Sequence, residues 1–209
     1  TVGGDGRKIS YFLASAGYLG SLGSANSAQF NTYKVDYTNT SSVKVFVNGE
    51  LKLTSTQTVT PTSNHYYIGG DSPSSASDNG FFYYFKGWKD GVLKIHAVTD
   101  PSGRVRDLVS GNLLTAAVGG TGSLGVKRIP ALNTKTKQVA TFDGVDDAFA
   151  TEPVTLGNNF ELEWTGSLSN TESFGQIVTN TNNTFNEGSF TFERISTFDS
   201  IDIVFYPNG

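Results

Sequence analysis

Asn48-Gly49 lies between two β-prone runs, 42–47 and 50–53, and fixes how the middle of the chain can fold. Both residues tolerate positive φ, so the pair predicts a type I′ turn whose twist matches the strands it joins. A two-residue loop pairs Val47 with Glu50 and Phe46 with Leu51. Phe46, Leu51 and Leu53 then share one face, and Val43, Val45 and Val47 the other. Both faces are apolar, and the sequence leaves open which of them meets the core.

The rest of the chain follows the same period of two. Alternation predicts strands over 7–13, 33–37, 65–70, 92–98, 160–164, 174–178, 189–195 and 201–206, with 54–60 extended and the aromatic run 81–85 straddling the core and an interface. In 160–164, Phe160, Leu162 and Trp164 alternate with Glu161 and Glu163, so the first three are expected inside and the carboxylates in water. Segments 17–31 and 71–80 and most of 119–137 read as loops, being rich in Gly, Ser, Thr, Asn, Asp or Lys.

Composition excludes several classes of function. The 209 residues contain no Cys, which removes disulfides, thiolate metal sites and a Cys nucleophile. Charged residues make up 16%, against about 25% in average globular proteins. Burial must then supply the stability, and 15 Phe, 9 Tyr and 2 Trp are available for it. A net charge of −4 with no Lys/Arg run speaks against nucleic acid as a partner. No stretch approaches the roughly 18 apolar residues of a membrane-spanning helix. A chain that starts at Thr1 and has no Met is expected to be processed, excised or partial.

Several segments in succession resemble one fold family. The Tyr33-Lys34-Val35-Asp36-Tyr37 strand leads into the Asn48-Gly49 hairpin, then Tyr66-Tyr67-Ile68-Gly69-Gly70, then Phe85-Lys86-Gly87. That order is similar to the closing half of laminin-G-like, concanavalin A-like jelly-roll modules, although Trp88, Lys89 and Asp90 stand where the family usually carries an acidic and an aliphatic residue. Further on, Asp107-Leu108-Val109-Ser110-Gly111-Asn112 resembles the opening segment of such modules in phage structural proteins. Phe142-Asp143-Gly144-Val145-Asp146-Asp147, with the 160–164 strand after it, resembles the family's most specific signature. The resemblance implies an all-β, antiparallel β-sandwich of concanavalin A-like/laminin-G-like jelly-roll type. Residues 1–100 would form its closing half and 101–209 its opening half, the turn at 100–103 marking the boundary. In that inverted order the halves would complete one sandwich, circularly permuted or cut from a tandem array. Ile9, Tyr11 and Leu13 also match Ile201, Ile203 and Phe205 in pattern, as repeats would.

Candidate site residues follow from side-chain chemistry. Tyr18, Tyr83, Tyr84 and Trp88 are the ligand-binding candidates, because an exposed ring offers an apolar face to a pyranose; the alternative is that such rings simply fill the core. Asp143, Asp146 and Asp147 are candidate Ca²⁺ ligands, against the alternative of a tight Asp-Gly turn with solvated carboxylates. No other cofactor is expected. Glu161 and Glu163 form an i, i+2 carboxylate pair, but they lack the acidic spacing of concanavalin-like glycosidases, so no enzyme is expected. His65 and His96 stand apart from other metal-binding residues, and His96 is expected to be a strand residue with a hydrogen-bonded ring. The resemblance implies a non-catalytic glycan-binding or structural module of a virion appendage or decoration protein of phage-fibre type. Its location would be the virion or extracellular space. Its partners would be other appendage subunits, itself included as a homo-oligomer, and cell-surface glycan. A secreted bacterial adhesin or lectin module is the alternative, with a carbohydrate-active enzyme behind it.

Overall fold

The structure, a computed structural model, describes residues 8–13, 17–24, 30–39, 42–56, 65–69, 79–100, 104–118, 125–130, 136–143, 147–156, 159–168, 174–180, 190–195 and 200–205. Its regular structure there is entirely β, arranged in two sheets. The first sheet runs, edge to edge, β10 (Thr115–Val118), β13 (Asp147–Ala150), β6 (Tyr67–Ile68), β15 (Phe174–Thr179), β16 (Phe190–Ile195), β17 (Ser200–Phe205), β1 (Lys8–Leu13) and β2 (Gly17–Ser24). The second runs β11 (Gly125–Pro130), β12 (Thr136–Asp143), β7 (Asn79–Lys89), β14 (Phe160–Leu168), β3 (Asn31–Asn39), β4 (Ser42–Val47) and β5 (Glu50–Ser55). Beside β12, the far end of β7 also pairs with β8 (Val92–Thr99), which in turn pairs with β9 (Val105–Asp107). Neighbours are antiparallel throughout, except that β1 and β17 run parallel.

The Asn48-Gly49 turn has φ of 53° and 82° at its two central residues, as a type I′ turn requires. Val47 pairs with Glu50 and Phe46 with Leu51. The Asn48 N–H donates to the Thr32 carbonyl at 2.8 Å, and its side-chain oxygen accepts from the Thr32 N–H at 2.9 Å. The turn is thereby fastened to β3 as well as closing its own hairpin. Val43, Val45 and Val47 are buried, which settles the facing. Leu53 departs from the expected alternation: a register shift sets it opposite Val45, and it packs against the core while Leu51 stays exposed. One extra residue in a strand reverses every later facing. Asp90-Gly91, with φ of 51° and 72°, makes a second turn of the same kind between β7 and β8.

The core lies between the sheets. Tyr66 packs on Phe85 with ring centres 5.5 Å apart, and Phe142 meets Phe149 edge-on at 6.1 Å. Trp164 stacks on Tyr33 at 5.4 Å and Tyr37 tilts against Phe160 at 5.3 Å, so adjacent strands of the second sheet lock their inner rings in pairs. Phe160, Leu162 and Trp164 are all buried, as their alternation requires. Gly69 has φ of 92°, and a Cβ built there would fall 2.2 Å from the Phe142 ring. This backbone can approach the core only as glycine. The whole is a β-sandwich-like assembly of two sheets, antiparallel apart from the β1–β17 pair.

Some expected loops are strands. Gly17–Ser24 forms β2 on the edge beside β1, where main-chain pairing sustains a stretch poor in large side chains. Gly125–Pro130 forms β11 by pairing with β12, and β7 begins already at Asn79. The expected 65–70 strand is ladder-paired only over Tyr67–Ile68. Strands from 1–100 and 101–209 interleave in both sheets: β7 lies between β12 and β14, β6 between β13 and β15, and β1 beside β17. In that last pair Ile9 lies opposite Ile201, Tyr11 opposite Ile203 and Leu13 opposite Phe205.

Candidate functional site

On the outward face of the second sheet, strand registers line side chains up in rows. One row reads His96, Lys86, Glu163, Lys34 and Phe46, from β8 across β7, β14 and β3 to β4. The row on one side of it reads Trp88, Glu161, Asp36 and Lys44. The row on the other side reads Val98, Tyr84, Thr165 and Thr32. Apolar strand positions face inward, so this face collects nearly all the chemistry of five strands.

Contacts tie the rows together. The Tyr84 hydroxyl donates to Glu163 Oε1 at 2.8 Å, and Lys86 Nζ lies 3.8 Å from the same oxygen. Lys86 Nζ also sits 4.5 Å from the centre of the Tyr84 ring and 6.0 Å from that of Trp88, within cation–π range. Lys34 makes a close ion pair with Glu161 and lies 6.0 Å from the Phe46 ring. That pair offsets the repulsion between Glu161 and Asp36, which stand directly opposite each other. Asp36 is held in turn by the Thr38 N–H at 3.0 Å and its hydroxyl at 2.7 Å. Thr32 and Thr165 share a hydrogen bond of 2.7 Å. Cations at Lys34, Lys44, Lys86 and Arg106 outnumber the acids Asp36, Glu161 and Glu163 here, although the chain as a whole is net −4.

Burial raises the Tyr84 phenol above its ordinary range, and Glu163 adds to the rise against an opposing influence of Thr165. The phenol is therefore a donor at neutral pH. Burial lowers His96 and the nearby Lys86 lowers it further, outweighing Asp107 and Glu163. Its ring packs edge-on to Tyr84 at 6.3 Å, while its main-chain N–H donates to Asp107 Oδ1 at 2.8 Å. Among the described residues it is the His65 ring, rather than the expected His96 ring, that is hydrogen-bonded, with Nδ1 2.7 Å from the Thr151 carbonyl. Asp107 organises the turn after β9. Burial alone would raise its carboxyl, but hydrogen bonds from His96, Ser110 and Val109 outweigh that and lower it. The Asp107–Asn112 segment is thus a hydrogen-bonded turn, closed by the Gly111 N–H on the Asp107 carbonyl at 2.9 Å.

Of the four candidate rings, Tyr84 and Trp88 lie on this face, both half-buried and on one strand. Tyr83 occupies the register shift opposite Thr165 and Gly166, and its ring meets Tyr84 at 5.4 Å. Tyr18 lies apart, in β2 of the other sheet, opposite Phe12. Asp143 ends β12 opposite Asn79, Asp147 opens β13 opposite Val118, and Asp146 falls outside the described residues. Among the described residues no three His, Asp or Glu side chains gather as a metal site. Lys34, Lys86 and His96 complete the face; alternation along β7 already sets Lys86 between Tyr84 and Trp88, whereas only the cross-strand register brings Lys34 and His96 to them. No protein-family model matches the chain, and no curated protein is detectably similar to it in sequence.

Proposed function

We propose that the protein is a concanavalin A-like/laminin-G-like jelly-roll module that binds glycan without catalysis, in a virion appendage or decoration protein of phage-fibre type, and that the outward face of the second sheet is its binding surface. The observation that carries the reading is the pairing of Tyr84 and Trp88 with Glu161, Glu163 and Lys86 on one exposed sheet face. Half-exposed rings stack on the C–H face of a pyranose, and flanking carboxylates and ammonium groups hydrogen-bond its hydroxyls. Catalysis is the less favoured use of the same carboxylates. Glu163 is engaged by a phenol and an ammonium group, and Glu161 by Lys34, whereas a glycosidase acid needs an apolar setting that keeps it protonated. A glycan-array screen with and without Ca²⁺ tests the proposal. Retention of a defined glycan class, abolished by Trp88→Ala, supports it; an empty array overturns it, and cleavage of an arrayed polysaccharide that stops with Glu163→Ala replaces it with the enzyme reading.

A further inference from the structure

The half-buried Trp88 indole stands with Lys86 beside it on its own strand and Glu161 opposite it on β14. Glu163 takes its short hydrogen bond from Tyr84, while Lys86 stands off at 3.8 Å, near the limit of an ion pair, and leans over the Tyr84 ring. Lys34 is committed by contrast, held closely on Glu161. On the other side of Trp88, the register between β7 and β8 shifts, and Lys94 is the extra residue opposite the Gly87-Trp88 step. Lys94 is exposed and makes no ion pair among the described residues. The indole thus has one loosely engaged ammonium group on its own strand and one unengaged on β8, while the Glu161 carboxylate opposite it is already paired with Lys34. An anion arriving at Lys86 displaces its 3.8 Å contact to Glu163, which keeps its phenol, and the charge-assisted hydrogen bond it gains beside low-dielectric rings opposes the repulsion from that carboxylate.

Resting on the glycan reading, we infer that this face takes an acidic saccharide, with a carboxylate or sulfate group at Lys86 and Lys94 and the adjoining pyranose stacked on Trp88. A neutral sugar would use the same ring, leaving Lys86 with its 3.8 Å contact to Glu163 and Lys94 without an ion pair among the described residues. The inference names the charge of the ligand, where the glycan reading alone names only its class.

The test compares an oligogalacturonate, its methyl ester and a sulfated neutral oligosaccharide, followed by Trp88 fluorescence at low and moderate salt. The acid and the sulfated sugar are expected to bind at least about tenfold more tightly than the ester, with the advantage shrinking as salt rises. Lys86→Gln and Lys94→Gln should each erase most of that advantage, bringing the acid and the sulfated sugar down to the affinity of the ester measured on the same variant. Lys52→Gln, the same charge change out on β5, should leave all three ligands unaffected. Equal binding of acid and ester overturns the charge assignment while the glycan reading stands. Absence of binding by all three overturns the inference, and an empty array besides overturns the glycan reading.

Discussion

At the scale of single residues, two glycines separate strain from collision. Gly49 needs positive φ but has open space where a side chain would go, so Gly49→Val should cost only conformational strain, roughly 1–3 kcal/mol. Gly69 needs positive φ, and a Cβ added there would fall 2.2 Å from the Phe142 ring, so even Gly69→Ala should lower the thermal midpoint more than Gly49→Val. The reverse order in melting experiments would contradict the packing of 65–69 on β12. Trp164 and Glu163 are neighbours on opposite faces of β14. Trp164→Ala should cost roughly 3–5 kcal/mol through lost burial and the lost stack on Tyr33. Glu163→Ala removes partly exposed contacts only and should cost about 1 kcal/mol or less. Equal shifts in a denaturant titration would contradict that facing.

At the scale of elements, the β8–β9 pair with its Asp107 turn couples stability to pH. Both Asp107 and His96 have folded pKa values below their ordinary 3.8 and 6.5. A group lowered on folding holds fewer protons in the folded state, so its contribution is present above the unfolded pKa and is lost as pH falls through the folded one. Stability should therefore begin to fall below about pH 6.5 through His96 and fall further below about pH 4 through Asp107. His96→Gln should flatten the first part of the melting-temperature profile and Asp107→Asn the second. Profiles parallel to that of the unaltered protein would contradict the assignment. How much of each element was legible varies. The Asn48-Gly49 turn and the facing of Phe160, Leu162 and Trp164 were readable because turn chemistry and alternation are local. Leu53 was misread because a single extra residue resets alternation, and β2 and β11 were missed because their partners, rather than their own side chains, make them strands.

At the scale of the molecule, the candidate site could be read only in part for the same reason. Tyr84 and Trp88 were visible as rings in a strand with Lys86 between them, yet the rows joining them to Glu163 and Lys34 depend on pairing between β7, β14 and β3, some 70 to 130 residues apart in sequence. Because both sheets draw strands from both halves of the chain, sedimentation at low concentration should find a compact 22.3 kDa monomer that melts cooperatively. A species that unfolds on dilution would mean that strands pair between chains. The central claim, that the outward face of the second sheet is the glycan-binding surface, is tested most directly by the protein's 2 tryptophans. One lies half-exposed on that face at Trp88, and the other is buried in the core at Trp164. In a ¹H–¹⁵N spectrum recorded during titration with a glycan retained on the array, the Trp88 indole resonance should move with saturation while that of Trp164 stays in place; a bound glycan that leaves the Trp88 resonance unmoved would contradict the account.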